Sequence, residues 1–112
     1  MKFSFEGIGH LSATFQTDSQ NTGIVCKMTG TAKVGPCADG DDFIGVVESV
    51  RMGAAGVQLH GFTQVRYTGT APKVGYAVLA ANGQGGVKTN ATGRTCLVVE
   101  VDEGKKIATI EL

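Results

Sequence analysis

The chain has 112 residues, enough for one hydrophobic core and one domain. Its 42% hydrophobic and 18% charged residues are typical of a folded protein and exclude a wholly disordered chain. Ten basic and ten acidic residues give a formal net charge of zero, and the basic residues are scattered along the chain. Nucleic-acid binders usually carry a basic excess or stripe, so this balance argues against nucleic acid as a partner.

Neither a membrane span nor a secretory signal is expected. No run approaches the roughly 20 apolar residues that a spanning helix needs, and residues 1–6 lack the apolar stretch of a signal peptide. Cys26, Cys37 and Cys96 are odd in number and widely spaced, unlike a disulfide framework. We therefore expect three reduced thiols that pack as small hydrophobic groups, in a protein of intracellular origin.

Residues 1–20 are predicted to form an N-terminal β-arm. Apolar and polar side chains alternate there in two blocks, which is the period of a half-buried strand. The arm either packs on its own domain or pairs with a neighbouring subunit, and the sequence leaves both alternatives open. Its candidate contact residues for a second subunit are Phe3, Phe5, Leu11 and Phe15.

Residues 21–112 are predicted to form a single β-barrel domain. Seventeen dispersed glycines separate short runs rich in Val, Ile, Leu, Phe and Thr, a pattern typical of strands joined by turns. No window of ten residues favours a helix, and residues 51–56 are interpreted as a connection. About ten short strands predict an all-β fold, a small closed or partly open barrel with a sandwich-like character. After the arm, the predicted strands cover residues 24–28, 31–34, 43–50, 57–59, 62–67, 76–80, 86–89, 95–101 and 107–112.

The two halves of the chain resemble each other. Val46-Val47-Glu48 aligns with Val98-Val99-Glu100 at an offset of 52 residues, and flanking Val and Gly positions align at 53. A genuine duplication would give a pseudo-symmetric barrel made of two similar meanders. Chance is the alternative, because valine and glycine are both abundant.

No group of side chains predicts a catalytic, cofactor or metal site. His10 and His60 lie in different predicted strands without a metal-binding or general-base spacing. The cysteines lack the paired spacing of structural zinc sites. Asp39, Asp41 and Asp42 match a turn better than a calcium loop, whose twelfth position here would be Val50.

Six segments follow one rhythm of strand, turn and Gly-Val strand: Gly-Thr-Ala-Lys-Val (30–34), Ala-Asp-Gly-Asp (38–41), Phe-Ile-Gly-Val-Val (43–47), Gly-Val-Gln-Leu-His-Gly-Phe (56–62), Gly-Tyr-Ala-Val-Leu (75–79) and Gly-Gln-Gly-Gly-Val-Lys (83–88). In these segments the chain resembles a known family of small phage and prophage head proteins that decorate or cement the capsid. The resemblance covers roughly residues 22–112 and implies an all-β barrel, a non-catalytic structural role, frequent trimers and no cofactor. It also implies the major capsid protein as partner and the surface of the virion, or the bacterial cytoplasm during assembly, as location.

Two other classes of function remain as alternatives. One is a small-ligand-binding or accessory β-barrel domain of a bacterial protein. With two Tyr, five Phe and no Trp, however, few aromatic side chains are present to line a ligand pocket at the end of the barrel. The other is a hydrolase or isomerase that uses Glu48 or Glu100, each in a valine-rich predicted strand. The four residues of the arm are also candidate contacts with the capsid, but the arm lies outside the segments that carry the resemblance, so this prediction rests on the local pattern alone.

Overall fold

The computed structural model describes residues 9–112, in which every regular element is a β-strand, as the sequence predicts. Among these residues no helix is long and apolar enough to cross a membrane. The strands are β1 (Leu11–Thr17), β2 (Val25–Gly30), β3 (Lys33–Pro36), β4 (Gly45–Arg51), β5 (Ala54–His60), β6 (Phe62–Arg66), β7 (Gly75–Ala81), β8 (Val87–Thr89), β9 (Arg94–Asp102) and β10 (Ile107–Glu111).

The strands form two five-stranded units in sequence order. The first unit is a closed barrel with the order β1-β3-β2-β4-β5, in which β1 pairs with β5 antiparallel and with β3 parallel. The second unit is a sheet with the order β6-β10-β9-β7-β8. Since β6 to β10 follow the neighbour order of β1 to β5, each unit is the same meander with its first strand added beside its last.

Strand register supports a structural duplication. Gln16 pairs with Ala54 across β1 and β5, and Arg66 pairs with Ile107 across β6 and β10. The amide of Thr17 donates to the carbonyl of Gly53 at 2.9 Å, and at the matching place the amide of Tyr67 donates to the carbonyl of Lys106 at 3.1 Å. The two units therefore superpose in register at offsets of 50 residues in the first strand and 53 in the last.

A β-bulge recurs at the same place in both units. In the first unit Val47 pairs with Val57 and Ser49 with Gly56, so that Glu48 is the extra residue. In the second unit Val98 pairs with Ile110 and Glu100 with Thr109, so that Val99 is the extra residue. By this register Glu48 corresponds to Val99, and the alignment of Glu48 with Glu100 proposed from the sequence is wrong by one residue.

Closure differs between the two units, and so do the hydrogen bonds at the matching place. In the first unit the amide of Gln16 donates to the carbonyl of Ala32 at 2.8 Å and joins β1 to β3. The corresponding carbonyl of the second unit belongs to Gly85, and it accepts instead from the amide of Val25 in the first unit, at 3.0 Å. β6 and β8 then pair at a single parallel bridge, Tyr67 with Val87, and the second barrel stays partly open.

Two hydrophobic clusters fill the molecule. The smaller one lies inside the first barrel around Val47 and Val57. The larger one fills the second unit around Leu79 and Ile110. It also contains three side chains of the first unit that lie outside the interior of the first barrel, namely Val25, Phe43 and Val46. The two units therefore share one core and form a single folding domain.

Candidate interaction surface

The predicted arm contains β1, which is hydrogen-bonded on both sides within its own chain. Phe15 is half-buried and packs against the core of the first barrel, whereas Leu11 is 51% exposed at the start of the strand. On the β3 side, however, only Gln16 and Thr17 are paired with described residues, so contact of residues 11–15 with a second subunit stays a prediction. Phe3 and Phe5 lie outside the described residues, so their role as contacts stays a prediction.

An apolar row crosses the outer face of the second unit. In register, Phe62 on β6 pairs with Glu111 on β10, Glu111 with Leu97 on β9, and Leu97 with Tyr76 on β7. The adjacent row, which contains Ile110 and Val98, faces the core, so pleating turns the first row outward.

The apolar row ends in two strongly exposed side chains. Tyr76 is 77% exposed, and Val74, just before β7, is 71% exposed. Exposed apolar groups gathered on one face mark interaction sites more often than isolated ones do. We name Phe62, Leu97 and Tyr76, with the exposed Glu111 between the first two, together with Val74 just before β7, the outer apolar row.

A polar cluster joins β1 to the bulge of β4. The Nε2 atom of His10 lies 3.0 Å from the Oγ of Ser12 and 3.3 Å from a carboxylate oxygen of Glu48, and Ser12 donates a hydrogen bond to the same carboxylate. A serine nucleophile would need the two imidazole nitrogens to face different partners. Here one nitrogen contacts both groups, and this arrangement fits a surface ion pair that fixes β1 against β4.

The second candidate glutamate and the second histidine lie elsewhere. Glu100 is half-buried beside a shallow 210 Å³ cavity that Gln64, Asp102 and Lys105 also line. His60 is exposed and pairs with Leu11 at the end of β5. The structure therefore does not bring Glu48, Glu100 and His60 together in one cleft.

The three thiols lie in or against the hydrophobic clusters. Cys26 and Cys96 are buried, and Cys37 is half-buried. Burial raises the pKa of Cys26 to about 12 and that of Cys37 to about 11, and it also raises the pKa of Cys96. Because a thiolate is the reactive form, these shifts lower the reactivity of all three thiols near neutral pH.

The acidic loop between β3 and β4 is held by one carboxylate. Asp41 accepts a hydrogen bond from Lys27 at 2.5 Å and from the amide of Ala38 at 2.8 Å. These two contacts hold the pKa of Asp41 below its usual range. Within residues 9–112 no group of three His, Cys, Asp or Glu side chains is placed to hold a metal ion.

Two adjoining grooves flank the open edge of the second unit, with volumes of 420 and 580 Å³. They share Arg66, Gln84 and Ile107, and Lys105 and Lys106 line the larger one. Sequence reasoning missed this surface because its members come from β6, the β7–β8 turn and the β9–β10 turn. The only signal in the sequence was the adjacent pair Lys105-Lys106.

Comparison with known proteins adds no family assignment. The sequence matches no known protein-family model, and a search of curated proteins finds no match either.

Proposed function

We propose that this protein is a non-catalytic structural protein that decorates a phage or prophage capsid by binding the major capsid protein. The observation that carries the proposal is the outer apolar row, in which Tyr76 is largely exposed on the sheet and Val74 is largely exposed just before β7. Tyrosine gives a large contact area at low entropic cost and is enriched in protein interfaces. The resemblance of residues 22–112 to capsid-decorating proteins supplies the class of partner.

The organisation of the domain supports a role in assembly. A duplicated meander with one shared core presents a broad, stiff outer face, and binding to a stiff face loses little conformational entropy. A near-zero net charge gives little electrostatic repulsion between copies packed on a shell. We infer a homo-oligomer, with a trimer favoured because it would match threefold positions of a capsid lattice.

Co-sedimentation tests the proposal. Shells assembled from the major capsid protein of the phage or prophage that carries this gene are mixed with the purified protein and pelleted. We expect the protein to pellet with the shells, and the double variant Val74→Ser/Tyr76→Ser to remain mostly in the supernatant. The matched control is Met52→Ser, an apolar residue that is 96% exposed in the hairpin turn of the first unit. Failure of the unaltered protein to pellet would overturn the proposal.

A second experiment tests the arm. Because Leu11–Thr17 is an integral barrel strand, a deletion must stop at residue 8 to leave the fold intact. If Phe3 and Phe5 contact a neighbouring subunit, removing residues 1–8 reduces the oligomer mass measured by light scattering. An unchanged mass would show that the arm does not hold the oligomer together.

A further inference from the structure

The structural duplication allows the two units to be compared position by position. Gln16 on β1 corresponds to Arg66 on β6, since both pair with the residue that starts the last strand of their unit. Gly53 corresponds to Lys106, since their carbonyls accept the equivalent hydrogen bonds. Met52 therefore corresponds to Lys105. At three matched positions the first unit is uncharged, and the second unit is basic.

Lys106 holds its place despite an unfavourable backbone conformation. Its φ of 54° lies in the left-handed region, where the corresponding residue of the first unit is Gly53 with a φ of 80°. Glycine adopts this conformation without the steric cost that a side chain brings. Ala32 and Met52 adopt the same conformation, so a side chain is tolerated there, at a local cost relative to glycine.

The cavities beside the matched turns also differ in charge, with cations lining only the one in the second unit. In the first unit the cavity beside the turn measures 230 Å³, and its only charged lining residue is Asp18. In the second unit the cavity measures 580 Å³ and is lined by the cations Arg66, Lys105 and Lys106. No carboxylate lines this cavity or the adjoining 420 Å³ groove.

None of these three cations forms an ion pair within the described part of the chain, although Lys105 also lines the 210 Å³ cavity with Glu100 and Asp102. The ion pairs that the described part of the chain forms use Lys27, Lys33, Lys88 and His10 instead. The nearest acids on the β9–β10 turn are Asp102 and Glu103. Asp102 is engaged by the backbone amide of Lys105, at 3.1 Å. The side chains of Arg66, Lys105 and Lys106 are all exposed.

The groove also presents groups that suit a peptide. The exposed side-chain amide of Gln84 can donate to a peptide carbonyl and accept from a peptide amide. Asn82 uses its oxygen to hold the amides of Gln84 and Gly86, at 2.8 and 3.1 Å, and so fixes the turn that forms the wall. The guanidinium of Arg66 has the planar fork that binds carboxylates in a bidentate manner.

We propose that this basic groove, lined by Arg66, Lys105, Lys106 and Gln84, binds an extended acidic segment of the partner protein. Three cations at one place match a few carboxylates, whereas the zero net charge gives no broad positive field for nucleic acid. The inference rests on the proposed structural function and names the kind of segment that the partner contributes, next to the contact made by the outer apolar row.

Fluorescence anisotropy of a labelled peptide tests the groove. The probe is a short fluorescein-labelled peptide of alternating Glu and Thr, and the neutral comparison peptide alternates Gln and Thr, both at about 50 mM salt to limit screening. We expect the acidic peptide to bind and the neutral one not to bind. The double variant Arg66→Gln/Lys105→Gln should weaken binding roughly five- to tenfold, as expected for the loss of two exposed charge contacts.

The matched control removes the same charges elsewhere. Arg51→Gln/Lys73→Gln also loses one arginine and one lysine, both exposed and outside the groove. We expect a change below about twofold, because distant exposed charges are screened. Equal weakening by the two double variants, or equal binding of the neutral peptide, would overturn the proposal. So would the absence of any binding.

A further variant installs the residues of the first unit, Arg66→Gln/Lys105→Met/Lys106→Gly. Since glycine relieves the left-handed strain at position 106, this variant should be at least as heat-stable as the parent while it loses peptide binding. Retained peptide binding would contradict the proposal. Co-sedimentation with shells tests the proposed function separately. If the parent protein binds shells but not the acidic peptide, only the proposed role of the groove is contradicted. If it binds the peptide but not shells, only the proposed capsid role is contradicted.

Discussion

At the scale of single residues, Gly45 shows how tightly the strands of the first barrel are packed. A Cβ atom on Gly45 would lie 2.1 Å from the carbonyl oxygen of Gln58 and 3.0 Å from a methyl group of Val57. The first of these neighbours is backbone in the adjacent strand, so it cannot rotate away. Glycine is required there because two strands approach each other closely.

We expect Gly45→Ala to destabilise the protein by about 1–3 kcal/mol or more, the usual cost of overpacking a core. The measurement is the free energy of unfolding from denaturant titration. Gly30→Ala is the control, because its new Cβ would meet only the Cβ of Lys33, at 3.9 Å. A loss of stability no larger than that of the control would show that β4 can move away from β5.

A second residue-scale prediction concerns the pH dependence set by Asp41. Its folded pKa is lowered, first by the hydrogen bond from Lys27, below the unfolded value of about 3.9. The resulting stabilisation is complete above about pH 5 and is lost as the pH falls through the folded pKa. We therefore expect the stability difference between the parent and Asp41→Asn to be largest near neutral pH and to shrink toward about pH 2.

Denaturation midpoints measured across this pH range check the prediction. Asp42→Asn is the control, because Asp42 forms no hydrogen bond or ion pair with the described residues. A stability difference for Asp41→Asn that stays constant from neutral to acid pH would contradict the assignment.

At the scale of elements, Arg94 at the start of β9 ties the second unit to the first. Its guanidinium donates to the carbonyl of Ile44 at 2.6 Å and to that of Leu59 at 3.2 Å, and it lies 5.9 Å from the centre of the Phe43 ring. These contacts satisfy carbonyl groups of the loop before β4 and of β5. One side chain therefore bridges three segments of the chain.

We expect Arg94→Met to lose about 1.5–3 kcal/mol of stability, since hydrogen bonds to a charged donor contribute this much. The free energy of unfolding from denaturant titration is again the measurement. Arg51→Met, an exposed arginine at the end of β4, should change stability by less than about 0.5 kcal/mol. Equal effects of the two substitutions would mean that the bridge adds nothing to stability.

At the scale of the whole molecule, the shared core predicts that the two units unfold together. Val25, Phe43 and Val46 come from the first unit but pack in the cluster of the second. A domain held together in this way should show one cooperative transition. Unfolding either unit alone would expose this shared surface to water.

Two core truncations test this cooperativity, one in each unit. Val57→Ala in the first barrel and Ile110→Ala in the second should each cost about 2–4 kcal/mol. Both should move the same single transition, followed by far-ultraviolet and near-ultraviolet circular dichroism. Transitions that no longer coincide in either variant would show that the units fold separately.

The strand pattern was largely visible in the sequence, and the errors have local causes. Residues 51–56 were interpreted as a connection, but the turn is only Met52-Gly53 and β5 begins at Ala54. The small residues Ala54, Ala55 and Gly56 look like a loop in isolation. They fit a strand here because its neighbours approach closely, and a Cβ on Gly56 would lie 2.8 Å from the Oγ of Ser49.

The candidate surfaces were less predictable than the strands. The outer apolar row takes Phe62, Leu97 and Tyr76 from three strands, and only register places Leu97 beside Tyr76 and Phe62 across Glu111 from Leu97. The basic groove depends on matching Arg66 with Lys105 and Lys106 across β6 and the β9–β10 turn. Neither set forms a motif along the chain.

The sequence by itself determined the fold class and the meander in each half, because alternating β-branched residues and dispersed glycines act locally. Only the tertiary structure decided that one unit closes and the other stays open. At the place where the first unit closes, the carbonyl of Gly85 accepts from the amide of Val25, which lies far away in the chain. Which distant backbone groups form hydrogen bonds with each other depends on tertiary packing, so it cannot be predicted from the local sequence.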